Sequence, residues 1–198
     1  MRCAGSSSWT VRWGSEHAVD LALYVRDALA LSVRTDPELP RLEPSVPVSV
    51  PSGVKRDVVR QQWQDWWVEV LAHPRTEAAE KPRERWASYP GNADSPSLSR
   101  RPELRAAVQA LSGPAAEHVA ARVHDTTPRV SYVGQTVREL ETELGRQARP
   151  FRLMVTQVGV AGPVWHRLAT DHVLVSTRFR NDEPACRAAL RTLVAELA

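Results

Sequence analysis

Val164-Trp165-His166-Arg167-Leu168-Ala169-Thr170-Asp171-His172-Val173-Leu174-Val175-Ser176-Thr177-Arg178-Phe179 is the stretch on which the fold turns. Two alternating runs, Val164–Leu168 and His172–Phe179, flank the polar break Ala169-Thr170-Asp171, which is the pattern of a β-hairpin. If Leu168 pairs with His172, the two-residue side-chain period sorts the hairpin into two faces. His166, Leu168, His172, Leu174, Ser176 and Arg178 share one face. Trp165, Arg167, Val173, Val175, Thr177 and Phe179 share the other, which is the better core surface.

Upstream, Val130–Val133 reads as a strand turned by Gly134. Thr136-Val137-Arg138-Glu139 has the spacing of a capping box opening a helix that ends at Gly145. Phe151–Val158 is a further strand, followed by a Gly162-Pro163 turn. Downstream, Asp182-Glu183-Pro184 starts a last helix with Cys186, Leu190, Leu193, Val194 and Leu197 facing inward. The expected unit is β-α-β-β-β-α with a mainly antiparallel sheet, in an α+β protein.

The N-terminal half is richer in helix. Trp9-Thr10-Val11-Arg12-Trp13 alternates as a short strand, and a helix from Glu16 to about Leu31 is apolar nearly all round. Prolines 37, 40, 44, 47 and 51 forbid a helix between Asp36 and Pro51 and favour an extended path. Val46, Val48 and Val50 form a candidate edge strand within it. Lys55 to Ala72 carries a helical stripe of Val59, Trp63, Trp66, Trp67, Val70 and Leu71, closed by His73-Pro74. Residues 74–100 read as a linker or long loop, with a short helical piece near Trp86 and a turn at Tyr89-Pro90-Gly91-Asn92. Pro102 opens a helix to Leu111, Gly113-Pro114 breaks it, and a second helix continues to about His124. The segments divide as 1–73, 74–100 and 101–198, or as one continuous domain over 9–198.

Composition narrows the function. The 198 residues are 42% hydrophobic and 25% charged, which is ordinary for a globular chain. No run approaches the roughly 20 apolar residues of a membrane span, and no apolar stretch follows Arg2 as a secretory signal requires. Two cysteines at opposite ends, Cys3 in a tail expected to fray and Cys186 on a helical stripe, suit a reducing cytoplasm. The pI of about 9.2 is not concentrated. Eight cations stand against nine acids over residues 1–73, eight against seven over 74–128, and ten against seven over 129–198. Phosphate binders gather their cations on one face, so nucleic acid is not favoured. Only Lys55 and Lys81 are lysines among 26 cations, a bias that suits a high-GC bacterial genome.

Phosphate loops, Cys-x-x-Cys pairs, His-Glu-x-x-His helices and nucleophile elbows are absent from the sequence. Gly159 and Gly162 are followed by Pro163, which makes a turn and not a phosphate-binding helix start. The hairpin face offers His166, His172 and Asp171 as ligands for a divalent metal, and Arg178 with Arg180 as an anion site. A wet outer face of an antiparallel sheet accounts for the same residues. His17 and Asp20 lie three apart on one helix face, whereas His118 and His124 point apart. Cys186 near a helix start is a candidate nucleophile, set against burial on its stripe. Trp63, Trp66 and Trp67 span a wide arc, so they are either core alone or core plus a partner-binding surface.

Three functions follow. The favoured one is a non-enzymatic accessory or scaffold protein in a bacterial cytoplasmic complex, contacting another protein or itself through the tryptophan stripe and the proline-rich stretch, with no cofactor. The second is a metal-assisted hydrolase using His166, Asp171 and His172 with His17 or Asp20. The third is a weak nucleic-acid-associated protein using Arg146, Arg149 and Arg152 with Arg178 and Arg180. In a three-stranded meander those two arginine groups lie at opposite sheet edges.

Overall fold

Burial decides which strands stand at the centre of the sheet. The computed structural model describes residues 2–5, 9–76, 87–123 and 131–198. Its strands are β1 (Arg2–Gly5), β2 (Trp9–Gly14), β3 (Phe151–Val158), β4 (Trp165–Ala169) and β5 (His172–Ser176). They form one sheet in the order β1-β2-β3-β5-β4. The β1·β2 and β4·β5 pairs are antiparallel, and β2·β3 and β3·β5 are parallel. The sheet is therefore mixed, not mainly antiparallel. Every residue of β5 is buried, while β4 is half-exposed throughout its length or more. A short apolar run covered on both faces suits an interior parallel strand, and an alternating one suits an edge. The hairpin forms as the sequence indicates, but it folds back so that β5, not β4, lies against β3.

Helices α1 (His17–Ala28), α2 (Arg56–Thr76), α3 (Pro96–Ser99), α4 (Pro102–Val123), α5 (Ser131–Leu144), α6 (Thr177–Asn181) and α7 (Glu183–Leu197) complete the described structure, making the chain α+β. Four differ from the sequence reading. Ser131–Val133 begins α5 instead of ending a strand, and Val130 lies outside the described residues. Tyr132, Val133, Thr136, Val137 and Leu140 are all buried, a 3.6-residue stripe that a four-residue β-branched window conceals. Thr136 consequently sits mid-helix and caps nothing. His172–Phe179 is a strand only to Ser176, whose Oγ accepts from the Phe179 amide at 3.1 Å and starts α6. The third is α4, which runs unbroken through Gly113-Pro114. Its buried face, Leu104, Ala107, Val108, Leu111 and Ala115, continues across the proline and holds the helix together. The expected end at His124 lies outside the described residues, and α2 runs past His73-Pro74 to Thr76.

Contacts gather the chain into two units, Met1–Glu16 with Thr126–Ala198, and His17–Asp125. In the first, one sheet face carries Val11, Trp13, Phe151, Leu153, Val155, Val173 and Val175. Val133, Val137 and Leu140 of α5 and Cys186, Leu190, Leu193 and Val194 of α7 close over it. Trp9 stacks on Phe151 with centroids 6.2 Å apart. Residues 2–5, where a fraying tail is expected, pair with β2.

In the second unit α1 packs against α2 and α4. The Tyr89-Pro90-Gly91-Asn92 turn closes with the Asn92 amide on the Tyr89 carbonyl at 2.9 Å. A Cβ at Gly91 would come 2.7 Å from the Tyr89 ring, so glycine is needed there. The Tyr89 hydroxyl in turn accepts from the Ala18 amide at 2.7 Å, satisfying one donor in the first turn of α1. Glu69 of α2 ties down α3 and the start of α4, accepting from Ser97, Arg100 and Arg101. Partial burial alone would raise its pKa. The hydrogen bonds from Arg101, Ser97 and Arg100, with the Arg101 charge, outweigh this and hold it at about 2.

Pro114 leaves the Ala110 carbonyl without its helical donor and crowds the preceding turn. Pro114→Ala restores both, so its urea midpoint should rise by the equivalent of about 1–3 kcal/mol with unchanged helix content.

Candidate functional site

The hairpin brings His166 and His172 to one side, as their parity requires. Trp165, His166 and Arg167 pair with Val175, Leu174 and Val173, the register expected from the sequence. A bulge then pairs Ala169, not Leu168, with His172. The shared side nevertheless makes no metal centre. His172 is 1% exposed and its Nε2 lies 2.9 Å from Thr156 Oγ1, within the sheet. Asp171 is exposed in the turn, where its carbonyl accepts from the Met154 amide, and His166 is half-buried. Among the described residues no three His, Cys, Asp or Glu side chains gather as a ligand set. The sequence reading took this face as the wet side of an antiparallel sheet, whereas every residue of β5 is buried.

Arg178 and Arg180 lie on α6, not on a strand. Arg178 is exposed, and Arg180 donates to Gln157 Oε1 at 3.2 Å and to Asn181 Oδ1 at 2.9 Å. Arg146, Arg149 and Arg152 are exposed near the start of β3. Because β3 and β5 are parallel, with Met154 beside His172 and Val158 beside Ser176, the two arginine groups stand at opposite ends of neighbouring strands, about 20 Å apart. The meander expectation of opposite edges gives way to opposite ends, and no single basic patch results.

The tryptophans are core. Trp63, Trp66 and Trp67 are fully or almost fully buried, with Trp63 and Trp67 stacked at 5.4 Å. Trp63 Nε1 donates to the Ala22 carbonyl at 2.8 Å and Trp66 Nε1 to Pro90 at 2.9 Å. No exposed indole remains on this stripe for a partner. Cys186 is likewise buried, which pushes its thiol to about 11 and leaves it a poor nucleophile.

His17 and Asp20 part company. His17 stacks on Tyr89, and Asp20 turns toward α4. There Arg122 Nη2 reaches Asp20 Oδ1 at 3.5 Å, and the His118 ring lies 5.6 Å from that of Tyr24. Among the described residues Asp20 Oδ2, Arg122 Nη1 and His118 Nε2 find no hydrogen-bond partner. Burial raises the Asp20 carboxyl to about 6, against the lowering pull of Arg122, and burial also lowers the pKa of His118. The seam was readable only in pairs, as Asp20/Tyr24 and His118/Arg122, each at four-residue spacing.

Among the described residues the exposed large apolar side chains are Val48, Val50, Val58, Val68 and Leu144, and the first two lie on the proline-rich segment. It crosses from the end of α1 toward α2 as a strap, with no turn or bend from Ser45 to Pro51. Val48 is 65% and Val50 43% exposed. One foot is held by the buried pair Arg26 and Asp27. Arg26 donates to the Leu39 carbonyl at 2.9 Å, the Pro40 carbonyl at 2.6 Å and Asp27 Oδ1 at 2.6 Å. Asp27 accepts from the Leu42 amide at 2.6 Å and from Arg41 at 3.0 Å. The middle is pinned by the Ser49 amide on the Ala28 carbonyl at 2.7 Å. At the far foot Arg56 donates to the carbonyl of Ala30, which holds φ +48° where α1 ends. Val46, Val48 and Val50, expected as an edge strand, form no strand and pair with none among the described residues.

The Asp20 seam gives a pH signature. A native pKa near 6 against 3.8 means that the protonated form stabilises the fold and that this stability is lost as pH rises from about 4 to 6. Asp20→Asn should therefore gain on the unaltered protein across that window, on the order of 1–3 kcal/mol, read as the difference between urea midpoints at pH 4 and pH 7. A constant difference would contradict the assignment.

No family model, no curated protein and no solved structure matches this chain.

Proposed function

We propose that this chain is a non-enzymatic accessory protein of the bacterial cytoplasm that works by protein–protein contact, with the strap Glu43–Pro51 as its contact element. The observation that carries this reading is the exposure of Val48 and Val50 on a segment clamped at both feet. Exposed valines on a slack loop lose their ordering entropy on binding; a strap held by hydrogen bonds at both feet and at Ser49 has already lost part of it. Its residues Pro44 to Val54 carry no charge, so docking desolvates no ion. The cytoplasmic placement is supported by the buried thiol of Cys186 and by the lack of a described helix long and apolar enough to cross a membrane.

The test is a capture experiment from the host's extract with the protein immobilised. A bound protein, whether another chain or an untagged copy of this one, should be released by a synthetic peptide of residues 43–53. It should also be lost with the double variant Val48→Asp/Val50→Asp, whose thermal midpoint stays within about 2 °C of the starting protein because both side chains are exposed. Capture that is indifferent to the peptide and to the double variant overturns the reading.

A further inference from the structure

Three buried polar atoms without a partner among the described residues lie along one seam of the helical unit. Asp20 Oδ2 comes from α1, and His118 Nε2 and Arg122 Nη1 come from α4. An antiparallel register places them. Asp20 meets Arg122, and Tyr24, one turn later on α1, meets His118, one turn earlier on α4.

The Asp20 rung is only half made. A guanidinium facing a carboxylate commonly makes two parallel bonds, but here one contact of 3.5 Å joins them. Oδ2 and Nη1 are bonded to the same carbons as that touching pair, so both lie at this rung. Asp20 is 2% exposed, and Arg122 is the one charge that acts on it among the described residues. The other ionisable groups of the packed helices are engaged elsewhere. His17 and His73 lie against Tyr89, Arg26 and Arg41 hold Asp27, Arg56 reaches the Ala30 carbonyl, and Glu69 holds Arg101.

The chemistry of the three atoms selects what they would hold. Arg122 Nη1 can only donate, and His118 Nε2 donates when it carries the ring hydrogen or when the ring is charged. A protonated Asp20 adds a third donor at Oδ2 while Oδ1 keeps its contact with Arg122. Three donors around one guanidinium charge suit an acceptor with a single negative charge. An ionised Asp20 already balances Arg122, so a further anion would then be buried without compensation.

We propose that this seam binds one small monovalent anion, of the size of chloride or formate, between Asp20, His118 and Arg122, and takes it up together with a proton on Asp20. Burial, which raises the Asp20 carboxyl to about 6 against the pull of Arg122, sets the range. The anion is held below that pH, and above it the affinity falls about tenfold per pH unit, because the two binding events are linked. Burial lowers the pKa of His118, whose ring can donate in either protonation state, so Asp20 is the switch.

Thermal unfolding of the full chain reads this directly. Replacing about 0.1 M sodium gluconate, which matches the ionic strength and is too large for the seam, by sodium chloride or sodium formate should raise the midpoint by about 2–5 °C at pH 5 and by less than about 1 °C at pH 8. Arg122→Gln keeps a donor without the charge and should lose the shift at pH 5. Asp20→Asn, whose amide donates at every pH, should show the shift at both. If Arg122→Gln does not fold, the backbone amide signals of Tyr24, His118 and Arg122 in the unaltered protein decide, since they should move with chloride at pH 5 and stay at pH 8. A midpoint indifferent to the anion at pH 5, a shift equal at pH 5 and pH 8 in the unaltered protein, or one retained by Arg122→Gln overturns the site.

Discussion

Helix α1 has no exposed face beyond His17, and this constraint shapes the helical unit. Its residues from Ala18 to Ala28 are all buried, two carboxylates and a guanidinium among them. A buried polar group without a partner costs roughly 1–3 kcal/mol, more if charged, so each such group on α1 dictates what must lie beside it. Carbonyls freed at the helix end are also used. Ala28 takes the Ser49 amide and Ala30 takes Arg56, while within the helix Ala22 accepts a second donor from Trp63. The proline-rich segment is held straight because α1 needs its backbone, and its exposure on the other side is the consequence.

The two acids of α1 show how far partners decide the state of a buried charge. Asp27 is met by the Arg26 and Arg41 guanidinium groups and by the Leu42 amide, which shares its load among three donors. Asp20 has one long contact, to Arg122 at 3.5 Å, and its second oxygen has none. Both carboxylates are buried, so the number and closeness of donors separates the clasp at Asp27 from the sparsely met seam at Asp20. Removing Arg26 would take one of Asp27's three donors and leave the Leu39 and Pro40 carbonyls without theirs, because one side chain serves both.

Much of the fold was legible because local pattern and tertiary fate agree. The apolar wrap of α1, the tryptophan stripe of α2 and the Asp182 start of α7 are periodicities long enough to outvote chance. The failures share a cause in window length. Ser131–Val133 looks extended over three residues and helical over ten, and Pro114 looks like a break unless the buried stripe is followed across it. Strand order was not readable from the hairpin alone, although the contrast between Val173-Leu174-Val175 and the alternating Trp165–Ala169 already held it: the first is apolar on both faces, which suits an interior strand covered on both sides. The expected ligand set comes apart with that contrast, since an interior β5 buries His172 while Asp171 stays exposed.

The same contrast explains why the sheet's own rim is a poorer contact element than the strap. At β4 the bulge between Arg167 and Ala169 breaks the register, and Arg167 reaches across to Glu196, both devices that blunt an edge. The strap carries neither device.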